Sequence, residues 1–393
     1  MLLNNRFRGD TLPKKELPAL TSIRFIAALL IFVFHIHIRW PFDAPKFVVN
    51  IISQGAVGMS LFFILSGFIL TYNYRAILTH NDYCDYFVRR FARVYPVYFI
   101  AALLSVPWLL SIPKINQNVL PESIVYVMQL SFIVLSDVSL TQAWFPSLFN
   151  YWNNGLAWSL SVEAFLYLLF PFLLSLLLGL NRKKLLGILG ISYILSVMPG
   201  LAWYLFDPKP APAIPIVYAL PINRLPEFIV GMIFAILLIR KKQVAVNISV
   251  KVLAAVTVVI VYLGLVGAAL PLYVTHNFLI VPLFAIIIYW CGQIERGPLA
   301  YILGNGALRF LGESSYSFYL MQFFPIMLTK QYYNIVLQHA PFLGNIWVLA
   351  VVLLLITIFL AAASYKFIEL PARRYITTRY KTQRAVKSIS GIT

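Results

Sequence analysis

Long apolar segments recur from one end of the chain to the other, separated by short polar or proline-rich connections, and this pattern predicts helices rather than strands. Ten segments approach the roughly twenty residues that a helix needs to cross a hydrocarbon core. They run over 20–38, 51–72, 94–112, 156–178, 185–205, 221–239, 252–270, 277–291, 310–328 and 346–367. A further apolar stretch at 122–135 is only about fourteen residues long, which suits a re-entrant or interfacial helix better than a full crossing. The expected fold is all-α, a polytopic membrane helical bundle of about ten transmembrane helices. No internal repeat or appended soluble domain interrupts it. The expected organisation is an N-terminal tail over 1–19, a transmembrane domain over 20–370 and a basic C-terminal tail over 371–393.

Composition agrees with this reading. Of 393 residues 61% are hydrophobic and only 11% charged, whereas a soluble domain carries about a quarter charged residues. The net charge of +18 would suggest nucleic acid in a soluble protein, but in a lipid bilayer it reports orientation. Placing the N-terminus in the cytoplasm puts 24 lysines and arginines on the cytoplasmic side and five outside, with Arg24 and Arg224 inside spans. Both ends are therefore expected in the cytoplasm, with no nucleic-acid partner. The first apolar segment is too long for a signal-peptide core and should stay as an anchor. The extracytoplasmic connection 113–155 and the proline-rich loop 207–215 are candidate entrances for a substrate. Cys84 and Cys291 fit no metal or redox spacing, and neither a nucleotide-binding nor a zinc-protease motif occurs.

Charged side chains within spans are costly and each is a functional candidate. Arg24 and His35 are eleven positions apart, which at about 100° per residue brings them to nearly the same face, separated by roughly 16 Å of rise. They read either as a snorkelling arginine and a core histidine, or as a cation and a base on one path. His37 points away and suits a structural role. Glu163, in the outer half of the fourth span at a depth comparable to His35, is a natural orienter for a basic imidazole, or else an ion-pair partner of Arg224. Arg224 and Glu227 are three apart and can satisfy each other across one turn. Arg90 and Arg93 present two guanidinium groups on one face, suited to phosphates or simply to anchoring at the membrane surface. The small residues around Ser66 and Gly67 suit close helix packing or backbone approach to a ligand.

Taken in order, these segments resemble the acyltransferase 3 family of integral membrane acyltransferases. The resemblance rests on Leu20-Thr-Ser-Ile-Arg24-Phe-Ile-Ala-Ala with His35 after ten intervening residues, on Phe62-Phe-Ile-Leu-Ser-Gly-Phe, on Arg89-Arg-Phe-Ala-Arg-Val-Tyr-Pro96 and on Trp158-Ser-Leu-Ser-Val-Glu163. Arg224-Leu-Pro-Glu-Phe, Leu311-Gly-Glu-Ser-Ser-Tyr-Ser-Phe-Tyr-Leu320 and Phe367-Ile-Glu369-Leu-Pro371 complete the series. The resemblance implies a multi-pass protein of the cytoplasmic (inner) membrane that transfers an acyl group, usually acetyl, from acyl-CoA to a carbohydrate or glycolipid hydroxyl. Acceptors in the family include O-antigen, other exported polysaccharides, peptidoglycan and small glycosylated products. It implies catalytic roles for His35, Arg24 and Glu163, donor contacts by Arg90 and Arg93, substrate contacts by Ser66, Trp158, Ser161, Tyr316 and Glu369, and no metal. The chain departs from the pattern at Met321-Gln322, where the family often has a histidine. A proton-coupled secondary transporter is the rival, since buried Arg, His and Glu also build proton pathways.

Overall fold

The computed structural model describes residues 16–74, 80–109, 122–149, 154–207, 213–241, 248–267 and 269–390. The expected loop 113–155 and the loop 207–215 fall partly outside these ranges. Among the described residues the chain is helical with no strand, as a hydrocarbon solvent requires, because every backbone N–H and C=O must find its partner within the chain. The helices are α1 (Pro18–His37), α2 (Lys46–Ser53), α3 (Gly58–Asn73), α4 (His80–Leu104), α5 (Glu122–Val138), α6 (Asn154–Leu178), α7 (Arg182–Phe206), α8 (Pro221–Arg240), α9 (Ile248–Val266), α10 (Ile280–Cys291), α11 (Gly306–Glu313), α12 (Ser315–Met321), α13 (Phe323–Gln331), α14 (Ile346–Ser364) and α15 (Leu370–Ser390).

Among the described residues, seven helical stretches are long and apolar enough to cross a membrane: 18–37, 46–73, 157–178, 182–206, 214–240, 248–266 and 346–384. Three expected segments differ for separate reasons. The first half of α4 carries Asp82, Asp85, Arg89, Arg90 and Arg93, so its hydropathy falls although its length of 25 residues does not. The α10 helix has only 12 residues. The stretch 310–328 is broken at Ser314 and Gln322 into α11, α12 and α13. The short segment at 122–135 is helical over 17 residues as α5 and turns Ile124, Val127, Met128, Phe132 and Leu135 outward.

The bundle is organised around the crossing of α3 and α8. Gly67 and Gly231 face each other's helix: a Cβ at Gly67 would meet the carbonyl of Phe228, and one at Gly231 the carbonyl of Ile64. Without side chains at these two points the backbones touch, which is how helices associate where no hydrophobic force distinguishes protein from lipid. The long helix α14 continues through a π-helical turn, Tyr365–Glu369, into α15. The expected C-terminal tail is thus mostly ordered helix, lying along α4 and tied to it by Arg384 to Asp85 at 2.9 Å.

Candidate active site

Helices α1, α3, α4, α6 and α12 enclose a cavity of about 790 Å³, counted to its open mouth. Its wall runs along α3 from Met59 to Leu70, eleven residues or roughly 16 Å of rise. Apolar side chains form most of the wall, and into it project Arg24, Ser66, Arg90, Arg93, Glu163, Tyr167, Tyr316 and Tyr319.

Each polar group has a local reason for its position. Arg90 lies among the rings of Tyr74, Tyr86 and Tyr167, at 5.6, 6.0 and 5.8 Å from their centroids, and donates to the Tyr74 hydroxyl at 3.3 Å. Such an aromatic cage holds a guanidinium by cation–π attraction while leaving its other donors free. Tyr86 donates to the Tyr167 carbonyl at 3.1 Å, fastening α4 to α6. Tyr316 donates to the Val94 carbonyl at 2.7 Å, fastening α12 to α4. Tyr167 donates to Glu163, one turn away on α6. Arg24 interacts electrostatically with Arg93, Tyr167, Glu163 and Glu369. Among the described residues, no hydrogen bond or ion pair holds Arg24 or Arg93, so their charges face the cavity.

His35 is not on this wall. The contacts of α1 with the preceding turn and α3 set its level: a Cβ at Gly58 would meet Ala27 and Ile31, and one at Gly55 would meet Leu30 and Phe34. His35 therefore lies about one turn beyond Met59, where the cavity ends. Gln322 and the Arg39 charge both act on its imidazole, while the Gln322 amide itself donates to the Tyr319 carbonyl at 2.8 Å. Arg39 donates to the His35 carbonyl at 2.9 Å and reaches Met327 Sδ at 3.9 Å. The cavity lining includes Tyr319, hydrogen-bonded to Ser159 at 2.8 Å, and Phe62, whose ring lies 6.5 Å from that of Tyr319.

The expected pairing of Glu163 with His35 is not formed. Glu163 is nine residues into α6, about 13 Å from its start, whereas His35 is two residues from the end of α1. The two are at different depths, and Glu163 keeps company with Tyr167 and Arg24 instead. Trp158 and Ser161 face away from the cavity. Trp158 packs at 5.2 Å from the Tyr218 ring and 6.3 Å from Phe63, and Ser161 accepts from the Ala143 amide at 3.3 Å. Glu369 is buried behind the wall, accepting from Ser317 at 2.8 Å and interacting with Arg93, Arg24 and Arg373. His37 has the structural role expected, accepting from the Phe42 amide at 3.1 Å.

Arg224 and Glu227 do satisfy each other, at 2.6 Å and both fully buried. Ser60, the Tyr218 carbonyl and His276 complete that cluster, the last at 3.9 Å from Glu227. Tyr167, four residues after Glu163, was open to discovery by helical spacing. Ser159, Tyr319, Arg39 and His276 meet their partners across the chain and carry no comparable signal.

The model of the acyltransferase domain family matches residues 17–366. The chain belongs to the acyltransferase 3 family. It is an acyltransferase, and its match takes in every expected site residue except Glu369. The acyltransferase MdmB of Streptomyces mycarofaciens is 27% identical over 330 residues, 79% of each chain. The peptidoglycan O-acetyltransferase OatA of Listeria monocytogenes is 24% identical over 92% of this chain. This chain spans only 56% of that relative's length. No solved structure matches this acyltransferase. With family membership in hand, the charged residues of the bundle read as parts of a transferase rather than of a transporter.

Proposed function

We propose that this protein is a multi-pass enzyme of the cytoplasmic membrane that moves an acyl group, acetyl first, from acyl-CoA to a carbohydrate hydroxyl. The acceptor is an exported polysaccharide, O-antigen or glycolipid. The end of the bundle carrying Arg182–Lys184, Arg240 and the C-terminal helix faces the cytoplasm in this reading, following the distribution of positive charge. The observation that carries the proposal is a cavity at that end lined by Arg24, Arg90 and Arg93 and ending one turn short of the half-buried imidazole of His35. Relatives named as an acyltransferase and a peptidoglycan O-acetyltransferase support the reaction class.

The donor's phosphates are anionic and meet Arg90 and Arg93; its pantetheine arm is slender and fits an apolar channel about 16 Å deep. The thioester then lies near Tyr319 and Ser159. His35 takes the proton of the acceptor hydroxyl as that oxygen attacks the thioester carbonyl, and returns a proton to the departing thiolate, so that ester and free thiol are the products. Gln322, rather than the carboxylate expected from the sequence, is the polar side chain that acts on the ring. Arg24, facing the cavity without a partner, offers its positive charge to the donor.

His35→Gln removes the base while keeping a hydrogen-bonding side chain. Transfer of labelled acetyl from acetyl-CoA by membranes containing equal amounts of protein should fall by about 10²- to 10⁴-fold, the usual contribution of a general base. Full transfer by this variant rejects the mechanism.

A further inference from the structure

The C-terminal helix carries one more cation that acts on the arginines of the donor cavity. The π-helical turn Tyr365–Glu369 carries Glu369 in against Ser317, beside the wall formed by α12. Arg373 is four residues on and therefore on the same face of the helix, one turn nearer the mouth. It is exposed, and its charge interacts with Arg93, Glu369 and Arg90. From there α15 runs antiparallel to α4 until Arg384 meets Asp85. Arg24, Arg90, Arg93 and Glu163 line the cavity, and from outside that lining Arg373 and Glu369 act electrostatically on its arginines. Like charges this close repel unless an anion lies between them.

We propose that Arg373 binds the ribose phosphate of the acyl-CoA donor. This rests on the reading of the donor given above and adds a specificity-determining residue to it. A CoA thioester carries a diphosphate in line with its pantetheine arm and a separate phosphate on the ribose. Arg90 and Arg93, one turn apart inside the cavity, match the in-line diphosphate. The ribose phosphate then stays at the mouth, within reach of a side chain that enters from outside the wall. Arg374, its neighbour, points away from that face and serves as a control of equal charge.

The test removes the phosphate from the donor and the cation from the protein in turn. Steady-state transfer is measured with acetyl-CoA and with acetyl-3′-dephospho-CoA, using the full-length protein in detergent or vesicles. The wild-type protein should prefer acetyl-CoA by about tenfold in KM, as expected for one charge-assisted contact. Arg373→Gln should raise the KM for acetyl-CoA to that of the dephospho donor, leave the latter KM unchanged and leave kcat within twofold. Arg373→Lys should restore part of the preference, and Arg374→Gln should behave as wild type. An Arg373→Gln protein that keeps the tenfold preference, or that loses affinity for both donors equally, overturns the assignment while leaving acyl-CoA as donor. A wild-type protein that transfers from neither CoA thioester overturns the donor reading itself, and this assignment with it.

Discussion

Replacing Glu227 by glutamine isolates one charge at the centre of the bundle. Glu227 and Arg224 are both 0% exposed, and their charged atoms meet at 2.6 Å. The guanidinium also donates to the Tyr218 carbonyl at 2.6 Å and lies 4.0 Å from the Tyr218 ring centroid, with Phe63 and Trp158 at 5.6 and 5.8 Å. Glutamine keeps the shape and one acceptor but leaves Arg224 as an uncompensated cation among aromatic rings, where its Nη2 already lacks a partner. Breaking a buried pair from one side costs about 3–5 kcal/mol. At about 2 °C per kcal/mol for a chain of this size, the apparent unfolding temperature should fall by about 6–10 °C. The assay is thermal unfolding in detergent by intrinsic fluorescence at one fixed heating rate, because unfolding of such a protein is kinetically controlled. Arg224→Met combined with Glu227→Leu removes both charges and should cost less than Glu227→Gln alone, since no isolated charge remains. A Glu227→Gln protein within 1 °C of wild type, or a double variant worse than the single, refutes the reasoning.

Two further outcomes follow from the packing and the cavity. Arg93→Gln deletes a cavity cation that has no hydrogen bond or ion pair among the described residues, so the KM for acetyl-CoA should rise about tenfold; an unchanged KM would remove Arg93 from the donor site. Gly67→Ala drives a Cβ into the Phe228 carbonyl and should cost about 1–3 kcal/mol as the α3–α8 crossing opens. Gly187, which has nothing within 4 Å, should accept alanine with no loss, and equal losses at the two sites would show that close approach is not what glycine provides.

Hydropathy alone located most of the bundle because lipid makes the same demand on every span. It misjudged the places where function or connectivity imposes something else. The α4 helix is long enough to cross, but its charged first half lowers its hydropathy, because it brings Arg90 and Arg93 to the cavity. The stretch 310–328 has the composition of one helix and is three, and the breaks at Ser314 and Gln322 set Tyr316, Tyr319 and Gln322 against three different neighbours. Arg24, Ser66, Arg90, Arg93, Glu163 and Tyr316 were all legible as site candidates and do share one cavity. The partnership of Glu163 and His35 was not legible, because depth within a bundle depends on where a helix starts and how it is tilted. An error of several residues at a segment's edge displaces a side chain by roughly 5 Å. Tyr167 as the partner of Glu163 needed only the four-residue spacing along one helix.

The same limit applies more generally to arginine within an apolar segment. In the sequence, Arg24 and Arg224 are equivalent anomalies within spans, each a charge whose burial must be compensated, while Arg93 stands at the cytoplasmic edge of one. In the structure they divide by how that compensation is made. Arg224 is closed on all sides, neutralised by a carboxylate on its own helix and held by a carbonyl and a hydroxyl, so it fixes α8 against α3, and its one unpartnered nitrogen, Nη2, is sealed away from the cavity. Arg24 and Arg93 have neither ion pair nor hydrogen bond among the described residues and are instead open to a cavity, where Glu163 and Glu369 act on them only at a distance. A charge paired directly and sealed from any cavity is part of the fold, while one without a direct partner at a cavity wall is an invitation to a ligand. That distinction, rather than the mere presence of charge in a span, separates the structural cluster around Arg224 from the candidate donor site.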